Sequence, residues 1–275
     1  MKELNGAELA EFIKERQLKA VRGLKQAWDT HPKLAIIITQ DDPVIDKYVS
    51  LKRRYADDIL VDVEVYRIEQ PMVPDLLDDI KKDKSIHGVI LQLPLRDPSQ
   101  TDELCALIPP SKDVDALGPS SPYDAATPTA INWLLSGYNV DLAGKQIAVV
   151  GQGKLVGKPM TDLLLSADLS VQTFDKDSPS LAPLKDKDII ITAAGKPGLI
   201  TPDLLKPGMV IVDAGTSTQG GKLVGDVADE VYQLEDKDMK ITPRIGGVGP
   251  LTIVALFENL LTAARGSKGE LPDEA

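Results

Sequence analysis

IAVVGQGKLVGKP, residues 147–159, decides the fold. IAVV is a short apolar run that reads as a buried strand. Gly151, Gly153 and Gly157 follow it at the mouth of a helix that starts near Val156. The spacing is G-x-G-x-x-x-G, one residue longer than the usual dinucleotide fingerprint. Glycines at such a turn let backbone approach a pyrophosphate closely. The helix N-terminus adds free N–H donors and the positive end of its dipole. The strand–turn–helix context makes this a dinucleotide site rather than a turn that only packs.

The next strand, LSVQTFD, ends at Asp175, followed by Lys176. An acid there accepts from a ribose 2′-OH and repels a 2′-phosphate. Lys154 and Lys176 could bind that phosphate instead, and a solvated turn is the plain alternative. Further along, DIIITAAG and MVIVDAG read as strands and Pro250–Arg265 as an apolar helix. The last ten residues, GSKGELPDEA, are polar and read as a frayed end.

The same α/β logic runs through the first half. Leu9, Phe12, Ile13, Leu18, Val21 and Leu24 follow the helical period from Ala7 to Trp28, with Asn5 as a candidate N-cap. Leu34–Gln40 is a buried strand broken by Asp41–Pro43. A helix over Val44–Asp57, a strand region over 59–68, a helix over Pro74–Lys82 and a strand over Gly88–Leu95 complete a parallel unit. Ile108–Pro128 carries five prolines and reads as a long loop or domain junction. A helix is predicted over Thr129–Ser136.

Composition narrows the function. The 275 residues carry a net charge of −11, which argues against nucleic acid as partner. No apolar stretch reaches a membrane span, and the N-terminus lacks the apolar run of a secretory signal. The single cysteine, Cys105, fits a reducing cytoplasm and reads as a small buried residue. Two histidines far apart suggest no metal site.

Tyr48 and Lys52 stand one helical turn apart, so both fall on one face of the Val44–Asp57 helix. A ring can stack on a flat ligand while the lysine supplies a donor or base. Alone, the pair is better explained as an ordinary helix face. In company it says more. YVSLK at 48–52, GVILQLPL at 88–95, PSKDVD at 110–115, TPTAINWLL at 127–135, VVGQGKLVGKPM at 149–160, AAGKPGLI at 193–200 and TPRIGGVGPLTIVALFEN at 242–259 occur in this order. Together they resemble the bifunctional methylenetetrahydrofolate dehydrogenase/methenyltetrahydrofolate cyclohydrolase family, from about Leu34 to Ala264.

The resemblance implies an α/β chain of two domains with a cleft between them. Residues 1–121 would form a folate-binding catalytic domain, with the helix from 250 packing back on it. Residues 122–249 would form a Rossmann-like NAD(P)-binding domain. It implies tetrahydrofolate one-carbon derivatives as substrates, NADP or NAD as cofactor, and a homodimer. Lys52 would be the central catalytic lysine, Tyr48 would orient the folate, Gln92 would tune Lys52, and Asp115 would anchor the pterin. Leu91, Leu93 and the loop Gly246, Gly247, Val248 and Gly249 would line the substrate. Gly151, Gln152, Gly153, Asp175, Lys176 and Thr216 would line the dinucleotide.

Several positions depart from the family pattern. Gln152 and Gly153 stand where relatives carry an arginine and a serine that help hold the NADP phosphate. With Asp175 nearby, this leans towards NAD. Ala116 replaces a glycine after KDVD, Ile245 replaces a proline, and Thr216-Ser217 replace Ile-Asn. A cyclohydrolase with weak or lost dehydrogenase activity, or a non-catalytic binding regulator, are the alternative functions.

Overall fold

The computed structural model describes residues 1–219 and 222–267. In chain order its elements are β1 (Lys2–Glu3), α1 (Gly6–Trp28), β2 (Lys33–Ile38), α2 (Pro43–Asp58), β3 (Asp62–Arg67), α3 (Val73–Lys82), β4 (Gly88–Leu91) and α4 (Thr101–Ala106). There follow α5 (Ala126–Gly137), β5 (Ile147–Val150), α6 (Gly157–Ser166), β6 (Val171–Phe174), β7 (Ile189–Thr192), β8 (Val210–Asp213), β9 (Ser217–Gln219), β10 (Lys222–Val224), β11 (Lys240–Ile241) and α7 (Val248–Gly266). Residues 268–275, most of the polar tail, lie outside the described residues. Among the described residues no helix is long and apolar enough to cross a membrane.

The chain divides into two units. One holds residues 11–126 and 253 onward, the other residues 1–10 and 127–252. In the first, three parallel strands lie in the order β3-β2-β4. Leu34 to Ile38 of the central strand are all buried, because β2 is flanked on both edges and covered on both faces. Its continuous apolar run is the signature of that position. The C-terminal helix closes this unit. Gln17 Nε2 donates to Val254 O (2.9 Å) and to Glu258 Oε2 (2.8 Å), and the Tyr55 hydroxyl donates to Gln17 Oε1 (2.8 Å). The Tyr55 and Phe257 rings pack with centroids 5.1 Å apart.

The second unit is built on a six-stranded parallel sheet, β1-β11-β8-β7-β5-β6, with β9 and β10 forming a separate antiparallel hairpin. The chain leaves β5 to form β6 on one side, then crosses to form β7 on the other. The carboxyl end of β5 is therefore a topological switch point, where open α/β sheets bind ligands. The outermost strand comes from the chain's start: Lys2 and Glu3 pair with Lys240 and Ile241. The sequence alone puts residues 1–10 with the first domain. Their backbone joins the second unit, because β11 would otherwise present an open edge.

Asn5 caps α1 as expected. Its Oδ1 accepts from the Ala7 and Glu8 N–H groups, and its Nδ2 donates to Glu8 Oε1. The strand predicted over Gly88–Leu95 ends at Leu91, ahead of a cis Leu93–Pro94 bond. The proline-rich junction is shorter than expected, since α5 already starts at Ala126.

Candidate active site

Helix α2 begins on a strong cap. Asp42 accepts from the Val44 and Ile45 N–H groups at 2.6 and 3.2 Å, and Pro43 fits the first turn. Ile45, Val49 and Ala56 are buried on one face. Tyr48 and Lys52 lie half-buried, one turn apart.

Lys52 Nζ donates to Gln92 Oε1 at 2.7 Å. Gln92 stands just beyond β4, where its N–H donates to Ile37 O of the neighbouring strand (2.9 Å). Its Nε2 donates to Leu93 O (2.9 Å), which leaves the oxygen end for the lysine. Burial pushes the Lys52 ammonium below the ordinary lysine range, while the charge of Asp115 pulls it back up. Burial pushes the Asp115 carboxyl up, with Lys52 opposing. A carboxylate and an amine that influence each other in a desolvated site are suited to moving a proton.

Asp115 is carried by a tightly tied loop. Asp113, itself buried, accepts from the Leu117 N–H (3.1 Å) and the Gly118 N–H (2.8 Å). Asn259 Nδ2 donates to Val114 O and Asp124 O, both at 2.9 Å. Within KDVD the first aspartate thus shapes the loop and the second faces Lys52. The sequence offers no sign of this division. Ala116 has φ +53°, a left-handed conformation that favours glycine. The replacement of glycine there keeps the backbone and leaves it strained.

Leu91 ends β4, immediately before Gln92. It is fully buried in the core with Ala35, Val73 and Leu77, so it serves packing. Leu93 is half-buried against the same core. Cys105 is buried there too, in agreement with its reading as a small core residue.

In the other unit the three glycines of the 151 turn differ in kind. Gly151 has φ +91°, and a Cβ on it would lie 2.5 Å from Ala193 O. A Cβ on Gly157 would lie 1.9 Å from Gly151 O. Both are required by the fold. Gly153 has open space where its Cβ would stand. A glycine without a packing reason, at the mouth of helix α6, leaves room for a ligand's phosphates to approach backbone. The Gln152 carboxamide folds inward, donating to Gly151 O (3.0 Å) and pairing with Thr161 Oγ1 (3.2 Å). Asp175, Lys176 and Thr216 are exposed. Asp175 Oδ1 accepts from the Asp177 N–H (3.0 Å) and the Ser178 hydroxyl (3.2 Å), which fixes the carboxylate at the end of β6.

The 246–249 loop belongs to this unit. Gly246 has φ +86°, and its carbonyl accepts from the Ala7 N–H (3.0 Å). Gly247 is buried, and Val248 is buried as the first residue of α7. Gly249 has open space at its Cβ position. Ile245 is 90% exposed. Two carboxylates behind these loops, the half-buried Asp213 and the fully buried Asp226, had no signal in the sequence.

Comparison with known proteins agrees with this geometry. Residues 4–115 match the model of the tetrahydrofolate dehydrogenase/cyclohydrolase catalytic domain, and residues 125–268 match that of its NAD(P)-binding domain. The bifunctional protein FolD of a Nitratiruptor species is 36% identical, over 98% of this chain and 99% of its own. The crystal structure of the bifunctional dehydrogenase/cyclohydrolase FolD from Campylobacter jejuni is 33% identical, with a TM-score of 0.90 over 97% of this chain and 99% of that one. The Trypanosoma brucei methylenetetrahydrofolate dehydrogenase-cyclohydrolase, solved with NADP and an inhibitor, is 28% identical, with a TM-score of 0.88 over 97% and 98% of the two chains. With both domain models matched in order and relatives aligned end to end, this chain belongs to the tetrahydrofolate dehydrogenase/cyclohydrolase family.

Proposed function

We propose that this protein oxidises 5,10-methylenetetrahydrofolate to the 5,10-methenyl compound with a nicotinamide dinucleotide, and hydrolyses that product to 10-formyltetrahydrofolate. The observation that carries the reading is the Lys52–Gln92 hydrogen bond beside Asp115, in a unit matched by the family's catalytic domain.

When bound, a nicotinamide dinucleotide would supply the hydride acceptor for the methylene carbon. The chain's own task in that step is alignment, because hydride transfer gains most from correctly held donor and acceptor carbons. In this reading Tyr48 orients the folate and Asp115 holds its pterin by charge-assisted hydrogen bonds. Hydrolysis needs a base. Water adds to the methenyl carbon, and a neutral Lys52 takes its proton. The Lys52 ammonium then returns its proton to N5 as the bond from that carbon to N5 breaks, the remaining hydroxyl proton passes to solvent, and the formyl group is left on N10. Burial assists by favouring the neutral amine, and Gln92 Oε1 holds Nζ in place.

We infer NAD⁺ as the preferred dinucleotide. Asp175 is fixed at the end of β6, where an acid can accept from a ribose 2′-OH, and the Gln152 carboxamide is engaged with Thr161. The protein acts as a homodimer in the cytoplasm by analogy with the family, and light scattering reads its mass.

Turnover of methylenetetrahydrofolate with NAD⁺ and with NADP⁺, followed by absorbance beside direct hydrolysis of the methenyl compound, tests the reading. Dinucleotide reduction with methenyl hydrolysis supports it. Hydrolysis alone would reduce it to a cyclohydrolase. Neither activity would remove it.

A further inference from the structure

We propose that Asp226 is a positioning residue for the dinucleotide, acting through the loop Ala194–Lys196; the proposal rests on the dinucleotide reading of this unit. The loop leaves the carboxyl end of β7 directly beside the glycine turn. The Ala193 N–H donates to Val150 O (2.7 Å), and Gly151 has no space for a Cβ because of Ala193 O. Residues 193–196 thus form one wall of the turn at the sheet's switch point.

That wall hangs on one carboxylate. Asp226 Oδ2 accepts from the Thr192 hydroxyl and the Ala194 N–H, each at 2.7 Å. Its Oδ1 accepts from the Lys196 N–H, also at 2.7 Å. Asp226 is fully buried. Asp226 is in turn held by Asp213, whose carboxylate accepts from the N–H groups of Gly215 (3.0 Å), Asp226 (3.0 Å) and Val227 (2.9 Å). The two acids therefore tie together the loops that follow β7 and β8. Glycines make the space for them. A Cβ on Gly215 would lie 2.1–2.3 Å from the Asp226 carboxylate, and one on Gly225 would lie 2.1 Å from Asp213 Oδ2.

Burying a carboxylate is costly unless donors surround it, and a smaller neutral side chain would fill the same place with less penalty. What the carboxylate adds is direction. Short hydrogen bonds to alternate N–H groups dictate the path of residues 194–196 through the positive-φ Gly195. A small displacement of such a wall costs binding and alignment at the ligand it faces.

The test is Asp226→Asn in the full-length protein. The amide turns an NH₂ group towards N–H donors and loses at least one of the three bonds. The dinucleotide KM should rise about tenfold or more, while methenyl hydrolysis stays within about twofold of wild type. Gly215→Ala, which pushes on the same carboxylate, should give the same split. A dinucleotide KM and kcat unchanged in a folded Asp226→Asn protein overturns the proposal, as does an equal fall of both activities in a protein of unaltered melting temperature. If Asp226→Asn does not fold, Thr192→Val decides, because it removes only the hydroxyl donor. A raised dinucleotide KM with normal hydrolysis supports the proposal, and an unchanged KM overturns it. Absence of both activities from the wild type defeats the functional reading instead; wild-type turnover with an indifferent variant defeats only the role of Asp226.

Discussion

Gln92 presents its oxygen to Lys52 because its nitrogen is already committed to Leu93 O. The lysine is thus met by a neutral acceptor rather than by a carboxylate in direct contact. Lys52→Met should lower methenyl hydrolysis by a factor of about 10²–10⁴, the usual contribution of a positioned base. Gln92→Ala should lower it less, since the amine survives without its guide. Steady-state hydrolysis assays on both variants check the order. A Gln92→Ala enzyme more impaired than Lys52→Met would reverse the roles.

The pH profile follows from the same site. Only the neutral amine accepts a proton, so hydrolysis rises with pH through the Lys52 pKa, which burial places below the ordinary lysine range. The charge of Asp115 raises that pKa. Asp115→Asn removes it, so the rising limb of kcat for hydrolysis should move to lower pH, even as the loss of a pterin contact raises the folate KM. A limb that moves to higher pH would contradict the electrostatic link.

Gly151 and Gly153 should part company. Gly151→Ala must place a Cβ against Ala193 O at a positive φ, so the melting temperature should fall. Gly153→Ala meets nothing and should leave melting unchanged while raising the dinucleotide KM. Calorimetric melting beside dinucleotide kinetics separates the two. Equal effects on both readouts would mean that Gly153 also serves the fold.

Ala116 offers a stabilising change. Ala116→Gly relieves a left-handed alanine and should stabilise the protein by about 1 kcal/mol after the added freedom of the unfolded chain is counted. Thermal unfolding reads this as a raised midpoint. A lowered midpoint would mean that the alanine methyl packs more usefully than its backbone suffers.

Asp175→Ser should shift preference from NAD⁺ towards NADP⁺, because the repulsion of a 2′-phosphate goes with the carboxylate. The ratio of kcat/KM values for the two dinucleotides measures it. An unchanged ratio would move the discrimination to Lys154, Lys176 or Gln152.

Periodicity made most elements legible: α1, α2, α3, β2 and the strands of the second sheet lie within a few residues of where their apolar patterns put them. The two-residue strands β1 and β11 are too short to carry a period, so the edge formed by the chain's start was invisible. Lys52 and Gln92 emerged from a motif order, and their contact then needed the parallel register of β2 with β4. Asp113 and Asp226 were illegible because a buried acid and a solvated one look alike in sequence.

The division of the chain has a consequence for its synthesis. Residues 1–10 leave the ribosome long before residue 240, yet Lys2 and Glu3 find their partners only when Lys240 and Ile241 have emerged. The unit that holds Lys52 begins next, yet it waits for Val254, Glu258 and Asn259 of the last helix. Neither unit can close by the usual order in which domains fold as they are made. A ribosome stalled before residue 250 would hold two incomplete cores, one lacking its lid and the other barely in possession of its edge. A bulky tag joined ahead of Lys2 would burden a strand that emerges early and docks late.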